Sequence, residues 1–131
     1  MKTNKVVLII DDEFIILESI KIQLSRFLND DDYTIECATS GDEALSIINE
    51  YHTNNVNIDL IITDYHLDDM TGTEIINYLH DKFPNSKKFI LTGESENKIE
   101  HSNQNIAING YLPKPWEFEE LKNYVLSSLE D

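Results

Sequence analysis

Two apolar runs that stop abruptly on carboxylates constrain the fold of this chain more than any other feature. Val6–Ile10 is continuous and rich in β-branched residues, and Asp11, Asp12 and Glu13 follow at once. Leu60–Thr63 ends on Asp64, with Asp59, Asp68 and Asp69 close by in sequence. Apolar runs without alternation suit strands covered on both faces, as in a parallel sheet. Lys88–Thr92 is a third candidate strand, and Thr34–Ala38 and Gly110–Leu112 are shorter ones.

Helical patterns separate these strands. Leu17, Ile20, Leu24, Phe27 and Leu28 share one stripe of a helix predicted from about Glu13 to Leu28. Ala44, Leu45, Ile48 and Tyr51 make a second, with Ser40 or Asp42 able to cap its start. Ile75, Ile76, Leu79 and Phe83 make a third, ended by Pro84, and Phe118, Leu121, Val125 and Leu129 make the last, after Pro115. A short helix is also expected from near Ser95, in a segment weakened by the Ser-Asn-Gln-Asn run at 102–105. The 131 residues fit one domain with one sizeable core. The alternation βαβαβαβαβα implies right-handed crossovers and a doubly wound α/β sandwich with helices on both faces. Ligands in such a sheet sit beyond the carboxyl ends of the strands, at the topological switch point. If the first and third strands are neighbours there, Asp11, Asp12 and Asp64 converge on one edge.

The charge balance narrows the function. Twenty-five acids against ten Lys and Arg give −15 at pH 7. Such a surface argues against direct contact with nucleic acid or anionic lipid and suits cations and basic partners. Cys37 is the single cysteine and alternates with Glu36 in a strand-like run, so it reads as a small buried residue. The start "MKTNK" leads into too short an apolar run for a signal peptide, and no segment has the length to span a membrane. A reduced, cytoplasmic setting is the expectation.

Three converging carboxylates repel one another and titrate as a coupled set. A hard divalent cation relieves this, and Mg2+ takes carboxylates together with water and phosphate oxygens. Thr92 offers a hydroxyl at the end of one strand, and Lys114 offers a compact cation after the last. Asp, metal, hydroxyl and ammonium are the parts needed to make and hold an aspartyl phosphate.

The same residues carry a likeness. From Val6 to Leu129 the chain resembles the receiver domain of two-component response regulators, the family of the chemotaxis regulator. "IIDDE" resembles its acidic pair, "DLIITDYHLDDMTG" its phosphoacceptor stretch, "ILTGES" its hydroxyl position and "GYLPKPW" its Tyr-x-x-Lys-Pro ending. The resemblance implies a flavodoxin-like five-stranded parallel sheet of order 2-1-3-4-5. It also implies Asp64 as phosphoacceptor and Mg2+ held by Asp11, Asp12, Asp64 and the backbone carbonyl of His66. Thr92 and Lys114 would bind the phosphoryl group, Thr92 and Tyr111 would form the switch, and His66 and Glu94 would tune how easily water reaches the phosphate. Glu13 reads more readily as a first-turn helix residue favoured by the helix dipole than as a ligand. The implied partners are a histidine kinase or histidine phosphotransfer protein, and a downstream protein that reads the face of the fourth helix, fifth strand and fifth helix.

The chain departs from the family pattern in three places. Asp68 stands where a proline is usual, Gly93 follows Thr92 where alanine is favoured, and Pro113 lies between Tyr111 and Lys114. Two other readings compete. A Mg2+-dependent aspartyl-phosphate phosphatase would share the residue types, but its nucleophile would follow the first strand in an Asp-x-Asp arrangement, and here Phe14 occupies a key position. A phosphorylation-independent binding module is the other, against which the intact acidic set speaks. A single receiver domain over 1–131, with no output domain after it, is the expected organisation. Whether it acts alone or was cut from a longer protein stays open.

Overall fold

The computed structural model describes residues 4–93 and 108–130. Its strands are β1 (Lys5–Ile10), β2 (Tyr33–Ala38), β3 (Leu60–Asp64), β4 (Lys87–Thr92) and β5 (Gly110–Pro113). Its helices are α1 (Phe14–Leu24), α2 (Gly41–Thr53), α3 (Gly72–Lys82) and α4 (Phe118–Leu129). The helix expected from near Ser95 lies outside the described residues, so α4 here is the helix after Pro115. The sheet order is β2-β1-β3-β4-β5, with every pairing parallel. β1 therefore sits between β2 and β3, and the winding reverses at the β1–β3 boundary, as a doubly wound sheet requires.

Strand period decides which helices cover which face. Val7 and Ile9 of β1 join a core with Leu17, Ile20 and Leu24 of α1 and Leu121, Val125 and Leu129 of α4. Val6, Leu8 and Ile10 point the other way, onto Ala44 and Ile48 of α2 and Ile75, Ile76 and Leu79 of α3. No side chain from Val6 to Ile10 is more than 2% exposed. Burying each such side chain contributes about 1.5–3 kcal/mol, so the unbroken apolar run is the energetic reason β1 is central. No helix among the described residues is long and apolar enough to cross a membrane.

The helix starts follow local chemistry. Ser40 caps α2, its hydroxyl accepting from the Glu43 N–H at 3.1 Å. Thr71 and Glu74 form a reciprocal capping box at the start of α3. The signal for that box, Thr-x-x-Glu, is legible in the sequence. α1 differs from expectation: it ends at Leu24, not Leu28. Arg26 and Phe27 donate to Gln23 and Leu24, three residues back, while the Ser25 hydroxyl bonds the Ile22 carbonyl at 2.6 Å. The α-helix ends there, yet Leu28, whose N–H donates to the Leu24 carbonyl four residues back at 2.9 Å, still reaches the core at 6% exposure. Cys37 is half-buried, and burial pushes its thiol pKa up, in keeping with a packing role.

Lys88 is the unexpected interior residue. It is 3% exposed, and its ammonium donates to the Ser86 carbonyl at 2.6 Å. Burial, and secondarily Lys87, pull its pKa below the usual lysine value. A lysine whose folded pKa is depressed binds fewer protons folded than unfolded, so the folded state gains stability as pH rises toward the unfolded pKa of ~10.4. Wild type should therefore gain stability relative to Lys88→Met between pH 7 and pH 10. Paired urea denaturation curves check this, and a constant difference across that range would contradict it.

Candidate functional site

The carboxyl edge of the sheet gathers the chemistry. Asp11 follows β1 directly and is fully buried, with its N–H donated to the Ala38 carbonyl at 3.1 Å. One carboxylate oxygen accepts the Glu13 N–H at 2.9 Å. The other lies 2.8 Å from the Lys114 ammonium and has no aligned hydrogen-bond donor. Asp64, the last residue of β3, is 8% exposed. Its Oδ1 accepts the Tyr65 N–H at 2.9 Å and lies 3.1 Å from Lys114 Nζ. A single ammonium thus bridges the acids that end two adjacent strands. Burial disfavours the charge on Lys114, but its contacts with Asp11 and Asp64 outweigh that and hold its pKa above the usual value.

The lysine is itself held by the sheet. Its backbone N–H donates to the Thr92 carbonyl at 2.8 Å, which fastens the end of β5 to the end of β4. Thr92 is 8% exposed and stands at that same edge. Tyr111 pairs with Ile90 in the β4–β5 register, and its half-buried ring packs against the α2–α3 core. Glu94 lies outside the described residues.

Asp12 is half-buried beside this pair. Burial raises its pKa most, followed by the charges of Asp68 and Asp11. Carboxylate oxygens of Asp11, Asp12 and Glu13 all lie within 4.8 Å of one another. Glu13 is therefore not a first-turn residue, as the sequence suggested. It is the residue before α1, makes no side-chain cap bond, and adds its carboxylate to the cluster. Asp64 is joined to this group through Lys114.

A closed loop leads from Asp64 to α3. Residues 66 and 71 form an isolated antiparallel bridge, closed by Leu67 N–H to the Met70 carbonyl at 3.0 Å and Gly72 N–H to the Tyr65 carbonyl at 2.7 Å. The bonds of that bridge come from Tyr65, Leu67, Met70 and Gly72, not from His66. The His66 ring is exposed and meets the Tyr65 ring edge-on at 4.6 Å. Gly72 is required sterically, because a Cβ there would overlap the backbone oxygen of Asp64. α3 can start tightly against the end of β3 because residue 72 has no side chain. The charge that Asp68 adds beside Asp12 is the one expected where it replaces the family's proline, whereas sequence reasoning missed Gly72 and the cluster role of Glu13. Only the Gly72 contact had a readable trace, a glycine soon after a strand end.

A family model for the response regulator receiver domain matches residues 7–126. The chain belongs to that family, the receiver domains of two-component response regulators. It is 28% identical over 95% of its length to the sensor kinase CckA of Brucella abortus, of which the match covers 12%. It is 30% identical over 83% of its length to ARR21 of Arabidopsis thaliana, described as a two-component response regulator, of which the match covers 16%. The chain therefore spans a small fraction of these relatives. Among solved structures, a CheY-like receiver domain protein from Methanospirillum hungatei superposes with a TM-score of 0.80 at 29% identity, covering 97% of this chain and 94% of the other. Receiver domains are signalling modules rather than classical enzymes, interact with sensor histidine kinases and generally bind Mg2+ at an acidic pocket.

The residues present fit such a cation. Asp11, Asp12 and Glu13 offer carboxylate oxygens within 4.8 Å of one another, the ligand type hard cations prefer. Without a cation the cluster works against folding. Asp12 holds its proton more firmly folded than unfolded, so its charge destabilises above the unfolded carboxyl pKa of ~3.9. That cost fades as pH falls through the raised folded value. In chelator at neutral pH, Asp12→Asn should melt above wild type, with the gap closing as pH falls through the carboxylate range. A lower melting temperature for the variant in chelator would refute this reading of Asp12.

Proposed function

We propose that this receiver accepts a phosphoryl group on Asp64 from a phosphohistidine partner, with Mg2+ bound at Asp11, Asp12, Asp64 and the His66 carbonyl. The observation that carries this reading is Lys114 Nζ, 2.8 Å from Asp11 and 3.1 Å from Asp64. Lys114 sets a compensating positive charge beside Asp64, and an ionised carboxylate is the nucleophile the step needs. The Asp64 oxygen attacks phosphorus in line, and the phosphorus–nitrogen bond of the donor breaks as the oxygen–phosphorus bond forms. Lys114 then has a phosphoryl oxygen to bind in place of Asp64 Oδ1, and the Thr92 hydroxyl takes another. Mg2+ would supply charge neutralisation for the equatorial oxygens and the surrounding acids.

The signal is read as a change of shape. Thr92 shifts toward the phosphoryl group and Tyr111 turns further into the α2–α3 side, which alters the surface around β5 and α4 for a downstream protein. His66, exposed beside the acceptor, and Glu94 tune the approach of water and hence the phosphoryl lifetime.

The partner's docking place is supported by exposure next to the acids. Phe14 and Ile15 open α1 directly after Glu13 and are 67% and 73% exposed. Beside them runs a groove of about 490 Å³ lined by Ile16, Ser19, Gln23, Lys114, Pro115 and Trp116. Apolar side chains this exposed suit a protein surface that delivers phosphohistidine to the site.

Two experiments test the reading. Acetyl phosphate with Mg2+ should add one phosphoryl group to wild type by intact mass, and none to Asp64→Asn. Label on the variant would mean a different nucleophile. Ile15→Asp should slow transfer from a phosphorylated protein donor at least about tenfold, the loss of a modest hot spot, while leaving acetyl phosphate labelling unchanged. Equal slowing with both donors would remove α1 from the docking surface.

A further inference from the structure

Asp69 is exposed, lies outside the acidic cluster and takes no part in the phosphoryl chemistry. Its two carboxylate oxygens nevertheless reach across to another element. Oδ1 accepts the Gly41 N–H and Oδ2 the Asp42 N–H, each at 2.9 Å. These are the first two residues of α2, whose opening N–H groups have no partner within the helix. Ser40 satisfies the third, through Glu43, so Asp69 and Ser40 together complete the helix start. The two backbone bonds, Gly41 first, hold the Asp69 carboxyl below the usual carboxylate range. Met70 reinforces the contact: a Cβ at Gly41 would lie 2.5 Å from Met70 Sδ.

We propose that Asp69 is a positioning residue that clips the 65–71 loop to the first turn of α2 and so sets the geometry of the acidic site. The proposal rests on the reading of that site as a Mg2+-dependent phosphoacceptor. The 66–71 bridge and the Gly72-to-Tyr65 bond close the loop on itself, which couples its residues to one another. Displacing Asp69 therefore displaces His66, on one arm of that bridge, and Asp68, its chain neighbour. The positive end of α2 favours the Asp69 carboxylate, and its two bonds tie the loop to that helix start beside the Asp11, Asp12 and Glu13 carboxylates.

The test compares wild type, Asp69→Ala and Asp69→Asn, which keeps one acceptor oxygen. Three measurements are made: Mg2+ affinity by calorimetry, amide hydrogen exchange of 65–72 in chelator, and acetyl phosphate labelling at low and at saturating Mg2+. Asp69→Ala should bind Mg2+ about tenfold more weakly, the usual cost of losing a support behind a metal ligand. Its loop should exchange faster with no metal present, and its labelling should recover at saturating Mg2+. Asp69→Asn should fall between the two.

Faster loop exchange with Mg2+ affinity equal to wild type would make Asp69 a purely structural cap and overturn the proposal. So would labelling that stays slow at saturating Mg2+. If Asp69→Ala does not fold, wild-type Mg2+ affinity in Asp69→Asn has the same force. Failure of the underlying reading looks different: wild type would bind no Mg2+, or Asp64→Asn would take the label, whatever the loop does.

Discussion

The rest of this structure depends on one ammonium held between two carboxylates. Asp11 and Asp64 end neighbouring parallel strands and are almost wholly out of water. Taking such ions from water costs several kcal/mol each, which only close pairing offsets. Lys114 supplies the pairing to both at once. It comes from the far side of the sheet and is fastened to Thr92 by its own backbone N–H. The contact therefore joins the ends of β1, β3, β4 and β5 into one site. A lysine suits the place because its charge sits on a compact point at the end of a flexible stem, able to give up one carboxylate for a phosphoryl oxygen.

The charges at this edge do not balance, and the chemistry proposed for the site needs that excess. One cation faces Asp11 and Asp64, while Asp12, Glu13 and Asp68 add charge around them. An arrangement optimised only for stability would carry fewer acids here. In the function proposed for the site, that excess is what would draw a divalent cation, so the local cost to folding and the proposed capacity to signal would have one origin. The sheet absorbs that cost through the apolar cores on its two faces. The loop after Asp64 is tied by hydrogen bonds to the start of α2.

Much of this was legible in the sequence, for physical reasons that are local. Unbroken runs such as Val6–Ile10 must be buried on both faces, and that placed the central strands within two residues of their ends. Residues three and four apart share a helix face, which identified the buried stripe of Leu17, Ile20 and Leu24. Chain punctuation placed Asp11, Asp64, Thr92 and Lys114 at strand ends, and parallel order put those ends on one edge. The end of α1 was misjudged because a turn beyond it, closed by the Leu28 N–H on the Leu24 carbonyl, carries Leu28 inward as well as a continued helix would.

The sequence by itself determined the layers, the edge that carries the site and the residue types gathered there. Tertiary structure alone decided which of the acids does what. Asp68 and Asp69 are adjacent and chemically identical, yet one adds charge beside Asp12 and the other bonds a helix start 27 and 28 residues away. Glu13 joined the cluster, Gly72 proved to be a point of backbone contact, and Lys88 went into the interior. Periodicity reports which face a residue takes, because it follows from the geometry of one element. Which partner that face meets depends on crossovers and register between elements distant in sequence, and no local pattern contains that information.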